Sequence, residues 1–218
     1  MRNWWKIIAV LLLIYTLVGG LLIEVPKQVI LYETIRNLYF HVPMWFTMIF
    51  LFLMSMVYSI KNLSSGSLEH DQKAISLVNT GVIFGLLGVI TGSIWAKFTW
   101  GAWWTNDVKL NGSAITMLIY FAYLVLRGSL DDEQKKARIS AVYNIFAFVL
   151  LIVFIGILPR MTDSLHPGNG GNPGFNNYDL DNNMKLVFYP AVLAWILLGW
   201  WIGSVKFRIS RLQEKISE

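Results

Sequence analysis

Cysteine is absent from the 218 residues, which excludes disulfides, thiolate metal ligands and any thiol able to carry or accept a covalent adduct. Charge is scarce as well. Asp, Glu, Lys and Arg make up 14% of the chain against 56% hydrophobic residues, too apolar a balance for an ordinary soluble domain. Six stretches contain no charged residue at all: Ile7 to Ile23, Asn37 to Ile60, Ala74 to Ala96, Leu110 to Leu126, Ile139 to Pro159 and Leu186 to Val205. Each approaches or exceeds the roughly 20 residues with which an α-helix crosses the hydrocarbon core. Period-two alternation and short polar turns are also missing, so a β-barrel is disfavoured and helices that satisfy their own backbone are expected.

The expected fold is an all-α membrane protein, one domain over residues 1–218 built as a bundle of six transmembrane helices. The helices fall near residues 5–23, 39–60, 74–96, 110–126, 139–158 and 184–205. No internal repeat and no boundary to a second domain is visible. The first run follows Met1 to Lys6 in the manner of a signal peptide, but no small-x-small cleavage site follows it, and it reads as a retained helix.

What charge there is reports topology more than nucleic-acid binding, although the net charge is +5. Twelve Lys and Arg residues fall in one set of alternating segments: Arg2, Lys6, Lys61, Lys73, Arg127, Lys135, Lys136, Arg138, Lys206, Arg208, Arg211 and Lys215. The other set holds six, Lys27, Arg36, Lys97, Lys109, Arg160 and Lys185. The positive-inside rule then puts both termini in the cytoplasm. The segment before the second helix, a tryptophan-rich loop over 97–109 and a long loop over 159–183 face outward, which in a bacterium is the periplasm.

Histidine is limited to three residues. His70, in "SLEHDQK", reads as a solvated residue of a charged cytoplasmic loop. His41, in "RNLYFHVPMW", lies where the second helix begins on the outer side, with Pro43 tolerated in a first helical turn. His166 sits in the Gly-, Pro- and Asn-rich outer loop "DSLHPGNGG". Taken singly, these two are equally well a helix-start residue and a loop residue.

The outer face also carries "TWGAWWTNDVKL", residues 99–110, with Trp100, Trp103, Trp104, Asp107 and Lys109. Tryptophan is enriched at membrane interfaces, and Trp4, Trp5, Trp200 and Trp201 fit that belt. If the outer segment is helical, Trp100, Trp103, Trp104 and Asp107 share one face, a platform for a flat apolar ligand carrying a few charges. Haem has that form, with propionates for Arg36, Lys97 or Lys109 and an iron that takes axial imidazoles such as His41 and His166.

"WGAWWTNDVKL" closely resembles the tryptophan-rich WWD signature of the haem-handling proteins of cytochrome c biogenesis, whose form is W-G-x-W-W-x-W-D-x-R-L. "RNLYFHVPMW" is similar to the same family's R-x-x-Y-x-H-V-P segment at Arg36, Tyr39, His41, Val42 and Pro43. The length is similar to that of the cytochrome c maturation protein C branch. The resemblance implies haem b (iron protoporphyrin IX) held at the periplasmic face by the WWD segment, with His41 and His166 as the metal ligands. It further implies delivery to a membrane-anchored periplasmic haem chaperone, with an ATP-binding cassette complex releasing the loaded chaperone, all at the bacterial inner membrane. Two departures stand out: Asn106 replaces the usual third tryptophan, and Lys109 replaces an arginine, keeping the charge and losing bidentate pairing.

With both axial positions filled, a carrier that does no oxygen chemistry is expected, not an enzyme. Pro167, Gly168, Gly170 and Gly171 beside His166 suggest a hinge for release, or an ordinary flexible loop. Three rivals remain open from the residues alone. One is a cytochrome c synthase that joins haem directly to apocytochrome. Another is a small-solute transporter, disfavoured by the lack of midspan charge. The last is a structural subunit with interfacial aromatics. Gly81, Gly85, Gly88 and Gly92 read as a stripe for close helix packing.

Overall fold

The structure, a computed structural model, describes residues 3–27, 29–169, 171, 174, 175 and 179–217. Among these residues every regular element is helical. Helix α1 is Trp4–Leu22, and a 3-10 turn, Tyr32–Asn37, leads into α2, Leu38–Ser65. Helices α3, α4 and α5 are Leu68–Trp100, Val108–Gly128 and Glu133–Leu151. A π-helical turn, Ile152–Ile157, and the short α6, Leu158–Met161, extend α5, and α7 runs Asn182–Ser217. Six helical columns are long and apolar enough to cross a membrane, as the uncharged runs led us to expect.

The helices run past the uncharged stretches because a charge ends a hydrophobic run without ending a helix. Helices α2 and α3 are separated only by Gly66 and Ser67, where the sequence suggested a loop from 61 to 73. Gly66 takes the left-handed conformation at φ 67°, its N–H donates to the Asn62 carbonyl at 2.8 Å, and the Asn62 side chain donates to the Ser67 carbonyl at 2.9 Å. The orphan groups of the helix end are satisfied within two residues, so a longer loop has no role. His70 therefore lies in the first turn of α3, with Nδ1 3.1 Å from Ser65 Oγ and its ring stacked on Tyr58.

Proline shapes two columns. Pro43 lies inside α2 and not at its start, because the 3-10 turn already carries the helical column back to Tyr32. The column of α5 was expected to stop before Pro159, yet it widens into the π turn and continues to Met161. A proline removes one backbone donor and crowds the carbonyl four residues back, and a π turn is a local way to absorb that.

Helix α2 is the centre of the bundle, packed on α3, α5 and α7, while α1 lies on α7 and α4 on α5. Its core includes Met48, Leu51, Phe52, Val78, Met117, Tyr120 and Leu151, and the Phe52 and Tyr120 rings stack with centroids 3.5 Å apart. The glycine stripe of α3 forms the seat for α2. A Cβ built on Gly88 would stand 2.8 Å from Trp45, and one on Gly92 would stand 2.6 Å from His41 Cε1. Rings at positions 41, 45 and 52 thus lie against glycines 92, 88 and 81, so the spacing that reads as close packing also positions a candidate ligand.

At the end opposite the tryptophan loop the interior is polar. Arg127 of α4 forks onto Asp71 of α3 with bonds of 2.7 and 2.5 Å. Nearby in the bundle Asn144 Nδ2 donates to Ser55 Oγ at 2.7 Å and Ser59 Oγ at 2.9 Å, joining α5 to α2.

Candidate functional site

The tryptophan segment divides between two elements. Trp100 is the last residue of α3, Gly101 turns the chain in the left-handed conformation, and α4 begins at Val108. Residues 101–107 are not helical, so the single helical face imagined for Trp100, Trp103, Trp104 and Asp107 does not form. The loop presents Trp103 and Trp104 outward instead, 57% and 41% exposed. Ser93 Oγ donates to the Trp103 carbonyl at 2.7 Å, and Trp104 Nε1 donates to Asn111 Oδ1 at 3.3 Å. Asn106, at the departure from the family pattern, accepts from Asn111 Nδ2 at 2.7 Å and so braces the loop against α4.

Asp107 organises the site. As the N-cap of α4 it accepts from the Lys109 N–H at 2.9 Å. Its second oxygen accepts from the Ser164 hydroxyl and the Leu165 N–H, both at 2.8 Å, and His166 Nδ1 stands 3.1 Å from the first. One side chain, 2% exposed, thereby ties the tryptophan loop to the histidine loop. Burial alone would raise this carboxyl, but the bonds from His166, the Leu165 N–H and the Ser164 hydroxyl outweigh it and hold the carboxyl below the usual carboxylate range. A carboxylate only accepts, so His166 Nδ1 carries the hydrogen and Nε2 keeps its lone pair. Trp100 packs edge-on against the imidazole at 4.7 Å.

His41 reaches the same end from α2. Its Nδ1 is 3.1 Å from Thr91 Oγ1, and Trp45 and Trp95 flank the ring at 6.3 and 5.9 Å. The Thr91 hydroxyl donates its one proton to its own helix, at the Leu87 carbonyl 2.7 Å away, so it accepts from His41 Nδ1. Again Nε2 is the nitrogen left with a lone pair. The two imidazoles lie within electrostatic reach of one another, both against the last turns of α3. Among the described residues no three His, Asp or Glu side chains cluster as a site for a bare metal ion.

The three cations considered for an anionic ligand each hold a backbone carbonyl. Arg36 donates to Gly20 O at 3.1 Å and Ile23 O at 2.6 Å while pairing with Glu33, which places it on the C-terminus of α1. Lys97 donates to Gly101 O at 2.9 Å, and Lys109 Nζ to Pro167 O, a second tie between the loops. Arg160, which sequence reasoning passed over, lies within electrostatic reach of Lys109. Thr91, Trp45 and Trp95 were missed too; their one sequence signal is helical spacing from the glycine stripe and from His41.

The histidine loop is anchored where it is described. Phe175, with φ 56°, stacks on Phe188 of α7 at 5.5 Å and meets Phe46 of α2 at 6.0 Å. Gly168 is left-handed at φ 80°, and Gly170 lies outside the described residues. Gly92→Ala is expected to shift the His41 ring and to cost about 1–3 kcal/mol of overpacking. Thermal unfolding and ligand titration of that variant check both effects.

Comparison with known proteins follows the same lines. The chain is 25% identical over 140 residues to Heme exporter protein C of Haemophilus influenzae, covering 64% of this chain and 56% of the relative. It is 24% identical over 139 residues to the Escherichia coli protein of that name, covering 62% and 51%. Cytochrome c biogenesis protein CcsA of Prochlorococcus marinus is 36% identical over 93 residues, 43% of this chain and 29% of the relative. The chain thus spans less than two thirds of the length of these relatives. The family model for CcmC, Heme exporter protein C, matches residues 1–218. With that match along its whole length, this multi-pass membrane protein belongs to the Heme exporter protein C family.

Proposed function

We propose that the protein binds haem b at its tryptophan-loop end and presents it to a periplasmic haem chaperone during cytochrome c biogenesis. One observation carries the reading: the motif aspartate, Asp107, engages Nδ1 of His166, leaving Nε2 as a metal-ligating nitrogen, and His41 at the same end of the bundle likewise has its Nδ1 engaged, by Thr91. Family membership and the names of the relatives support haem as the cargo.

Haem supplies a planar, apolar macrocycle, two propionates and an iron with two axial positions. His41 and His166 would hold the iron through Nε2. Trp103 and Trp104, exposed on the loop, cover the porphyrin, and Trp100 holds the His166 ring edge-on. Lys109 and Arg160 offer positive charge to a propionate while keeping their carbonyl contacts. Two histidines on the iron would leave no site open to oxygen, which favours a carrier. Both termini are cytoplasmic, the site is periplasmic, and the bundle resides in the bacterial inner membrane, the orientation favoured by the Lys and Arg distribution. An ATP-binding cassette complex is the partner that frees the loaded chaperone.

The similarity to CcsA over 93 residues favours a second reading, a synthase that joins haem directly to apocytochrome. Incubation of the haem-loaded protein with apo-chaperone or with apocytochrome separates them. Transfer to the chaperone alone supports the carrier; thioether-linked haem on apocytochrome supports the synthase; transfer to neither contradicts both.

A further inference from the structure

We propose that the two histidines are unequal ligands, His166 the strong and retained one, His41 the labile one at which the iron exchanges. The inference rests on the axial reading above and adds an order of events to it.

The inequality lies in what stands behind each ring. His166 Nδ1 faces a carboxylate oxygen of Asp107 at 3.1 Å. A hydrogen bond to an ionised acceptor is about twice as strong as a neutral one, and it draws the Nδ1 proton away, so Nε2 becomes the better electron donor. His41 Nδ1 faces the neutral hydroxyl of Thr91 at the same distance, 3.1 Å, and that hydroxyl is already committed to the Leu87 carbonyl. Among the described residues no charged acceptor is bonded to the His41 ring.

Mechanical support differs in the same direction. The His41 ring is wedged against Gly92, where a Cβ would come within 2.6 Å, and between Trp45 and Trp95, so it cannot follow an iron that moves off its face. His166 is tied to the tryptophan loop and the start of α4, because Asp107 and Lys109 bond to Ser164, Leu165 and Pro167. A porphyrin lying on Trp103 and Trp104 would thus be linked through that loop to His166 and not to His41. On release His41 Nε2 would be the nitrogen given up first, keeping its electron pair, with no change in iron oxidation state required.

Carbon monoxide tests this on the ferrous, haem-loaded protein purified in detergent. It forms an iron–carbon bond in place of one imidazole, and the Fe–CO and C–O stretching frequencies report the donor strength of the ligand that remains opposite. The wild-type complex is expected to show the bands of the His41→Ala complex. Asp107→Asn, which keeps both histidines, shifts those bands toward a weaker donor. Thr91→Val leaves them in place and speeds carbon monoxide binding by about tenfold, the low end of what loss of a partner behind a ligand does. Wild-type bands matching His166→Ala, or bands moved by Thr91→Val and indifferent to Asp107→Asn, overturn the assignment. A haem spectrum unchanged by both His41→Ala and His166→Ala removes the axial reading itself, and this inference falls with it.

Discussion

Asp107→Ala is expected to weaken haem binding by about 10- to 100-fold, the range seen when a carboxylate behind a metal-bound imidazole is removed. Three bonds are lost across the loop interface, from His166 Nδ1, the Ser164 hydroxyl and the Leu165 N–H, together with the cap of α4. The cap alone is worth about 1 kcal/mol. The larger effect is that His166 loses both its orientation and the hydrogen bond that fixes Nε2 as the free nitrogen. Haem titration followed by absorbance measures the first effect, and amide exchange at Ser164 to His166 measures the second. An affinity within about twofold of wild type would mean the carboxylate does not support the ligand.

The same contact has a pH signature. The Asp107 carboxyl sits below its ordinary value in the folded protein, so the stability it contributes is present above the unfolded value, about 4. It is lost as pH falls from there through the depressed folded value. Loosening of residues 164–166 is thus expected below about pH 4 and not between 5 and 7, and Asp107→Asn removes that acid-sensitive step.

Asp71→Ala or Arg127→Ala is expected to destabilise the bundle by about 3–5 kcal/mol, because each leaves the other charge buried and unpaired. The side chains are 5% and 14% exposed, and the two-pronged bond joins α3 to α4 at the end far from the tryptophan loop. Replacing both together, Asp71→Leu with Arg127→Met, is expected to recover most of the loss. Denaturant midpoints in detergent give the comparison. A loss under about 1 kcal/mol for the single variants would mean that water screens the pair as it screens a surface one.

The helical columns were legible because a membrane span is written in the absence of charge, which a sequence displays directly. Their ends were not. Gly66 and Ser67 close the turn between α2 and α3 in two residues, and the charged residues around them stay helical. Nothing in the spacing of Asp71 and Arg127, 56 residues apart, says that they meet. The pairing of Asp107 with His166 is likewise a tertiary fact: the family resemblance singles out both residues and says nothing of the contact. Arg36 matches its motif yet docks on α1, since a cation at a helix C-terminus is favourable in its own right. Thr91 carries no motif at all and is recognised only once the glycine stripe has brought α2 against it.

The central claim is that His41 and His166 together hold a haem iron. The most direct measurement is the absorbance spectrum, oxidised and reduced, of the detergent-purified protein beside His41→Ala and His166→Ala. The account predicts a low-spin, bis-imidazole spectrum that each substitution converts to a high-spin or haem-free one. A protein without haem after haem-replete expression, or a haem spectrum indifferent to both substitutions, would contradict it and return the tryptophans to the role of interfacial anchors.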